Sequence, residues 1–225
     1  MKLYYTETGE GKPLILLHGN GESGRYFEHQ IPFFSRKYRV LALDTRGHGD
    51  SPRGNAPFTI EQFAEDLLDF MNEHAIEKAH LLGFSDGGNI ALTFALRYPE
   101  RVDRLILNGA NLDPSGVRPS VQAPIVLGYH IASWFSRKSE KAQKNAELLG
   151  LMVKQPHIQA ECLKTLHVPT LVIAGSRDMI KRRHTLLVYQ SIPAARLEIL
   201  PGNHFIAARK PDAFNQAVAR FLESD

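Results

Sequence analysis

The sequence of 225 residues contains a single cysteine, Cys162, so an internal disulfide framework is excluded. We expect that thiol to be buried by packing. The first residues show no apolar stretch of the kind that forms a signal peptide. The most apolar segment, from Val121 to Phe135, is broken by Pro124 and His130 and is shorter than the roughly 18 residues of a membrane span. These absences predict a soluble, cytoplasmic protein with no membrane partner.

Signals for bound cofactors are also sparse. The glycine-rich loop at residues 18–21 is not followed by the Gly-Lys-Ser/Thr sequence of a phosphate-binding loop. Histidine, cysteine and carboxylate residues do not cluster with the spacing of metal ligands. We therefore expect no cofactor and no metal ion.

The net charge of +3 comes from one segment of the chain. Residues 112–166 contain seven basic and four acidic side chains, whereas basic and acidic residues balance in the rest of the chain. Four closely spaced cations fall on what we predict to be one helix face: Arg137, Lys138, Lys141 and Lys144. No aromatic side chains alternate with them, and no nucleic-acid-binding module is recognisable. We interpret these cations as a solvated helix face and expect no nucleic-acid partner.

Apolar strand-like runs alternate with helical runs along most of the chain, which is typical of a mostly parallel sheet covered on both faces. The predicted strands are Lys2–Thr6, Pro13–Leu17, Arg39–Leu43, Ala79–Gly83, Arg104–Asn108, Val168–Ala174 and Arg196–Leu200. The predicted helices are Gly24–Arg36, Thr59–Glu73, Gly87–Tyr98, Arg182–Ser191 and Pro211–Leu222. The turn at residues 9–12 indicates an antiparallel hairpin between the first two strands. The fold class is therefore α/β, with a doubly wound sheet of about seven strands.

The alternation stops between residues 112 and 166, where helical pieces separated by prolines replace strands. We interpret this segment as a short helical cap inserted into the domain. The α/β core then consists of residues 1–111 and 167–225.

The strongest chemical signal is the segment from Gly83 to Gly88, which reads Gly-Phe-Ser-Asp-Gly-Gly. It follows an apolar strand and opens a helix, as a nucleophile elbow does. Flanking glycines permit the tight turn that presents the Ser85 hydroxyl at the helix N-terminus. Ser85 is therefore the candidate nucleophile.

A serine nucleophile needs a base, and the base needs a carboxylate to orient it. Asp178 and His204 each follow a late strand, and the carboxyl ends of parallel strands share one edge of the sheet. The main rival for the acid is Asp113. His18 and His48 lie beside glycine turns, where structural hydrogen bonding is the expected role. For the oxyanion, we expect the backbone N–H groups of Asn20 and Asp86 to be the donors.

Six segments together resemble the α/β-hydrolase superfamily: 18–21 (His-Gly-Asn-Gly), 44–51 (Asp-Thr-Arg-Gly-His-Gly-Asp-Ser), 83–88, 98–102 (Tyr-Pro-Glu-Arg-Val), 175–178 (Gly-Ser-Arg-Asp) and 202–205 (Gly-Asn-His-Phe). The resemblance covers essentially the whole core. It implies the α/β-hydrolase fold and a Ser-Asp-His triad, here Ser85, Asp178 and His204. It does not identify a substrate, and the insertion is short compared with many caps of the superfamily.

The expected function is a serine hydrolase that cleaves an ester, amide or related acyl bond of a small molecule through an acyl-enzyme on Ser85. Hydrolysis of C–C bonds, perhydrolysis and acyl transfer use the same triad and remain alternatives. A ligand-sensing protein of the same fold without turnover is a further alternative. The partner is expected to be a small acyl compound, and the chain to be a monomer or homodimer.

Four residues are candidates for the substrate pocket: Asp86, Tyr129, Trp134 and Phe135. The Asp86 carboxylate has two interpretations. It either favours the start of the following helix or receives a cationic group of the substrate. The elbow is similar to that of amino-acid-ester hydrolases of the valacyclovir-hydrolase type, which implies the second role. The net positive charge of residues 112–166 argues against it.

Overall fold

Seven strands form one sheet in the computed structural model, which describes residues 1–193 and 195–224. The order of the strands across the sheet is β1-β3-β2-β4-β5-β6-β7, and every neighbouring pair is parallel except β1 with β3. The strands are β1 (Tyr5–Thr8), β2 (Lys12–Leu17), β3 (Tyr38–Leu43), β4 (Ala79–Phe84), β5 (Val102–Asn108), β6 (Thr170–Gly175) and β7 (Ala195–Leu200). This confirms the predicted mostly parallel sheet of about seven strands.

The pairing of the first strand differs from the expected hairpin. Strand β1 pairs antiparallel with β3, with Tyr5 opposite Leu43, whereas β2 lies between β3 and β4 and has both edges occupied. The turn between β1 and β2 packs closely on the segment before β3, since a Cβ on Gly9 would lie 2.3 Å from the Ser35 carbonyl oxygen. The predicted β1–β2 hairpin is therefore wrong.

Helices cover both faces of the sheet. They are α1 (Ile31–Phe34), α2 (Ile60–Glu73), α3 (Asp86–Arg97), α4 (Pro119–Phe135), α5 (Glu140–Lys154), α6 (Arg182–Ser191), α7 (Ile206–Arg209) and α8 (Pro211–Leu222). Alternate residues of β2 enter different cores, as the period of a strand requires. Ile15 and Leu17 pack in the core that includes α2 and α3, whereas Leu14 and Leu16 pack in the core that includes α8.

The first predicted helix, Gly24–Arg36, is broken into two short pieces. A 3₁₀ turn at Gly24–Phe27 is followed by α1, which has Pro32 in its first turn. Proline cannot donate a backbone hydrogen bond and disfavours helical geometry in the residue before it. The buried Gln30 side chain holds the break by donating to the Ala207 carbonyl and to Asn215 Oδ1, both at 2.9 Å.

Residues 112–166 contain no strand and are only lightly packed. Helices α4 and α5 lie against each other, and among their residues only Leu151 is buried. Leu112, Leu163 and Leu166 anchor the segment in the core that includes α2 and α3. Cys162, expected to be buried, is exposed.

Candidate active site

Ser85 occupies a strained turn between β4 and α3. Its backbone adopts φ 53° and ψ −119°, in the left-handed half of conformational space that a side chain disfavours. The two flanking glycines make this turn possible. A Cβ on Gly83 would lie 2.2 Å from the Gly87 carbonyl oxygen, and a Cβ on Gly87 would lie 2.0 Å from the Leu17 carbonyl oxygen. Strain of this kind persists where the surrounding structure fixes it, and it is frequent at reactive residues.

Asp178 and His204 are in direct contact beyond the ends of β6 and β7. Asp178 Oδ1 lies 2.7 Å from His204 Nδ1, and the two side chains are only 3% and 5% exposed. The same carboxylate oxygen accepts the Ile180 backbone N–H at 2.9 Å, which fixes its orientation. With Nδ1–H donating to Asp178, Nε2 is left as the free acceptor of the ring. Within the described residues this buried nitrogen has no hydrogen-bond partner.

Two neighbours hold the His204 ring in place. Gly109, with φ 64°, lies so close that a Cβ there would be 2.7 Å from the Cε1 atom of His204. Phe84 packs against the imidazole with 4.8 Å between ring centroids, and Tyr26 stacks on Phe84 at 4.2 Å. The imidazole ring of His204 is thereby confined between the backbone of Gly109 and the ring of Phe84.

Ser85 and His204 occupy the same edge of the sheet, since β4, β6 and β7 are parallel members of one sheet. No hydrogen bond joins Ser85 Oγ to His204 Nε2 among the described residues. In unliganded enzymes this contact is often long and tightens when substrate binds. The structure thus brings acid and base together, and the nucleophile contact stays a prediction.

The rival acid, Asp113, makes a different contact. It lies 2.7 Å from His157, and both side chains are substantially exposed, at 41% and 64%. It also caps a short turn by accepting the Ser115 backbone N–H at 2.8 Å. Asp113 therefore belongs to residues 112–166 and not to the pair that contains His204.

His18 is bonded on both ring nitrogens. Nδ1 donates to the Gly19 carbonyl at 2.7 Å, and Nε2 accepts the Thr45 backbone N–H at 3.0 Å. Burial lowers the pKa of His18 to about 4, so it is neutral at pH 7. Burial lowers the pKa of His48 to about 4 as well, and it stacks on Phe58. These contacts match the structural roles expected for both residues.

The loop after β2 spaces its glycines at 19, 21 and 24, which is the Gly-x-Gly-x-x-Gly spacing of dinucleotide-binding proteins. In those proteins a long helix follows the loop and points its N-terminus at a phosphate. Here a single 3₁₀ turn, Gly24–Phe27, follows.

Among the described residues no group of three or more His, Cys, Asp or Glu side chains is arranged to hold a metal ion.

Asp86 is buried directly beside the nucleophile. Its Oδ2 accepts a hydrogen bond from Asn20 Nδ2 at 2.9 Å, and its Oδ1 accepts one from Asn89 Nδ2 at 3.3 Å. Burial raises the pKa of the Asp86 carboxyl, while the Asn20 bond lowers it in part. Asn20 Nδ2 also donates to the Leu148 carbonyl at 2.7 Å and so connects the elbow to α5. As the first residue of α3, Asp86 has a backbone N–H without an acceptor inside the helix.

Glu22, two residues after Asn20, lies near His204 and is marked by no sequence motif. Burial raises the pKa of this carboxyl from its usual 4.5 to about 7, and the nearby His204 lowers it in part. Its Oε2 is buried and has no hydrogen-bond partner among the described residues. The only available signal was its position in the loop that was expected to supply an oxyanion donor.

Two of the expected pocket residues face solvent. Trp134 is 80% exposed and Phe135 is 50% exposed on the outer face of α4, so neither is enclosed by the described residues. Tyr129, on the inner face, lines a cavity of about 310 Å³ between α4 and α5 together with Phe58. The sequence could not separate these faces, because α4 is apolar on nearly all sides.

Comparison with known proteins identifies relatives across almost the full chain. A family model described as alpha/beta hydrolase fold matches residues 12–130. The chain is 31% identical over 248 aligned positions to a putative carbamate hydrolase, RutD, from a Caulobacter species, covering 94% of this chain and 91% of the relative. It is 28% identical to the human serine hydrolase BPHL, covering 99% and 84%. Among solved structures, a meta-cleavage product hydrolase from Pseudomonas fluorescens superposes with a TM-score of 0.79 at 29% identity, covering 98% of this chain and 93% of that one.

Proposed function

The chain belongs to the α/β-hydrolase family and is an enzyme; on that premise we propose that it is a serine hydrolase. It would cleave an ester, amide or related acyl bond of a small molecule through an acyl-enzyme on Ser85. The observation that carries the proposal is the buried contact of 2.7 Å between Asp178 and His204, which leaves Nε2 as a free base. This base lies at the sheet edge where the strained elbow presents a serine hydroxyl.

In the proposed first step, His204 Nε2 takes the proton of the Ser85 hydroxyl as Oγ attacks the acyl carbon. The imidazolium that forms is stabilised by Asp178, which stays ionised. The former carbonyl oxygen gains negative charge, and the backbone N–H groups of Asn20 and Asp86 are the proposed donors to it. The leaving group then departs with the proton from Nε2, and the acyl group remains on Oγ.

The second step repeats this chemistry with water. His204 takes a proton from a water molecule, the resulting hydroxide attacks the acyl carbon, and Ser85 leaves with the proton. Among the relatives, BPHL is named a serine hydrolase and RutD a putative carbamate hydrolase, which supports chemistry of this type. Hydrolysis of C–C bonds, perhydrolysis and acyl transfer would use the same groups.

Pre-steady-state kinetics with an activated phenyl ester tests whether the reaction passes through an acyl-enzyme on Ser85. A competent nucleophile releases a burst of about one phenol per chain before steady turnover. Ser85→Ala should abolish the burst and lower turnover about 10⁶-fold. His204→Ala should have a similar effect, and the double variant should be no worse, because both residues serve one step. Retention of more than a tenth of wild-type activity in folded Ser85→Ala would reject the proposal.

For the substrate, we propose an acyl group that carries a cation, such as an α-amino ester. Asp86 is a buried carboxyl beside the nucleophile, and it accepts hydrogen bonds from the neutral side-chain amides of Asn20 and Asn89. No ion pair to Asp86 is formed by the part of the chain that the structure describes. A carboxylate in this position would gain a charge-assisted hydrogen bond from a substrate ammonium, and the arriving charge would favour its ionised form.

The test compares a free-amine aminoacyl ester with its N-acetyl counterpart. A charge-assisted bond of about 1.5–3 kcal/mol predicts roughly a 10- to 150-fold preference in kcat/KM for the free amine. Asp86→Asn should remove the preference while the activity on the N-acetyl ester changes less. Asp113→Asn, at the exposed Asp–His pair, is the matched control and should keep the preference. Equal kcat/KM for the two esters in the wild type would leave Asp86 as a residue that starts α3.

A further inference from the structure

The outer face of α4 is the most exposed apolar surface of the described chain. Eight large hydrophobic side chains are exposed among the residues that the structure describes. The four with the highest exposure all lie on α4: Leu127 at 62%, Ile131 at 53%, Trp134 at 80% and Phe135 at 50%. Contiguous apolar surface on a water-soluble chain marks a site of contact with another molecule or a membrane.

These four side chains form one stripe. At 3.6 residues per turn, positions 127, 131, 134 and 135 fall within an arc of about 100°. The opposite side of α4 carries Ile125 and Tyr129, which are partly buried. The helix thus uses one apolar face for packing and leaves a second apolar face, here called the outer stripe, in contact with solvent.

Basic side chains follow the outer stripe directly in the chain. Arg137 and Lys138 lie in the turn between α4 and α5, and not on one helix face as expected, whereas Lys141 lies in the first turn of α5. All three are exposed, and none forms an ion pair within residues 1–193 and 195–224. Arg137 and Lys138 are two and three residues beyond Phe135, so chain connectivity keeps them beside the aromatic end of the stripe. Glu140 is the single acidic residue between positions 136 and 146.

We propose that the outer stripe docks on an anionic lipid surface. Aliphatic and aromatic side chains would enter the boundary between headgroups and acyl chains, and the adjacent cations would contact the headgroups. A second copy of this chain fits the stripe less well. Helix α4 carries no acidic residue, so an antiparallel pairing of two stripes would bring no negative charge to the cations.

This inference departs from the expectation of no membrane partner, because the sequence does not show which side of α4 faces outward. Helix α4 would lie in the plane of the surface. No helix within the described residues combines the length and apolarity needed to cross a bilayer. The inference is independent of the proposed hydrolase chemistry, because it is tested by binding and not by turnover.

The chain itself supplies the reporter, since Trp134 is its only tryptophan. The full-length protein is titrated with vesicles of neutral phosphatidylcholine and with vesicles that also contain phosphatidylserine. On the mixed vesicles, the Trp134 emission should shift to shorter wavelength and acrylamide quenching should fall, and the protein should co-sediment. Neutral vesicles should give much weaker binding, and high salt should weaken binding to the mixed vesicles.

Two variants keep Trp134 and separate the contribution of the apolar side chains to vesicle binding from that of the cations. Ile131→Glu should weaken vesicle binding about 10- to 150-fold, since burying one isoleucine contributes about 1.5–3 kcal/mol. Its matched control is Leu187→Glu on α6, also exposed, which should bind like the wild type. Arg137→Gln with Lys138→Gln should weaken binding about 30-fold, from about 1 kcal/mol for each cation. Arg182→Gln with Arg183→Gln removes the same charge from α6 and should have little effect.

Three results would overturn the proposal. The first is an unchanged Trp134 emission with both vesicle types. The second is equal binding to neutral and anionic vesicles, because the cations would then play no part. The third is a shift that depends on protein concentration without vesicles, accompanied by dimers in light scattering that Ile131→Glu disrupts, because the outer stripe would then be an interface between copies.

Discussion

Two Asp–His pairs of equal length occur in different regions of this molecule. Asp178 with His204, and Asp113 with His157, are each separated by 2.7 Å. The first pair lies at the carboxyl edge of the sheet and is almost fully buried, whereas the second is half-exposed at residues 112–166. Water screens the second pair, so this pair contributes little to the free energy of unfolding. Burial and a fixed orientation, and not distance, distinguish the pair that we propose to be catalytic.

The two regions differ in the same way as the two pairs. Around His204, close contacts from Gly109 and Phe84 leave little freedom. In α4 and α5, Leu151 alone is buried. We infer that the packed edge of the sheet, and not α4 and α5, holds the chemistry.

The largest expected contrast comes from removing each acid. Asp178→Asn should lower kcat/KM about 10⁴-fold, because the amide no longer fixes the tautomer or stabilises the cation of His204. Asp113→Asn should change kcat/KM by less than about three-fold, since it loses only an exposed pair. Steady-state kinetics on one ester measures both. Equal losses in the two folded variants would contradict the division between the regions.

A glycine in each region gives the next contrast. Gly109→Ala should lower kcat/KM about 10²-fold, because its Cβ would displace the His204 ring and an ordered site tolerates little misplacement. Gly150→Ala lies within α5, where the new Cβ would meet Tyr129 at an ordinary 3.5 Å. That change should leave activity intact and raise stability by about 0.5–1 kcal/mol. Steady-state kinetics and thermal unfolding of both variants test these two expectations. A Gly109→Ala variant with wild-type activity would show that the His204 ring is not confined.

The smallest effect concerns the buried carboxyl of Glu22. Its folded-state pKa is about 7, raised from 4.5 by burial, so the folded protein holds this proton more tightly than the unfolded chain. Stability is therefore lost as pH rises from about 4.5 to 7. Below pH 4.5 the free energy of unfolding of Glu22→Gln should match that of the wild type, and at pH 7 it should be higher by about 1 kcal/mol. The difference is this small because solvent screens the partly exposed group. Urea unfolding at several pH values measures the difference in unfolding free energy between the variant and the wild type. A difference that does not grow with pH would contradict the proposed titration of Glu22.

Local signals in the sequence predicted some elements closely. The helices Arg182–Ser191 and Pro211–Leu222 have the predicted ends, and Thr59 caps α2 by accepting the Gln62 backbone N–H at 3.1 Å. The pairing of strands depends on residues that are far apart in the sequence, so the predicted partner of β1 is wrong. The break before α1 depends on Pro32 and on contacts from Gln30 to the far end of the chain, which no local pattern contains.

At the site, the sequence predicted the residues that carry recognisable motifs. The contact of Asp178 with His204 follows from their positions after parallel strands. Glu22 has no motif, and its unusual pKa arises only from packing. The outward orientation of Trp134 was equally hidden, because a helix that is apolar on all sides does not reveal which face is buried.

Covalent labelling of the protein is the sharpest test of Ser85 as the nucleophile. A fluorophosphonate reacts with an activated serine by forming an Oγ–P bond and releasing fluoride. Intact-protein mass spectrometry with peptide mapping should find one adduct per chain, on Ser85. The adduct should be absent in Ser85→Ala and unaffected in the matched variant Ser133→Ala of α4. An unlabelled wild-type protein, or a label on another residue, would contradict the account.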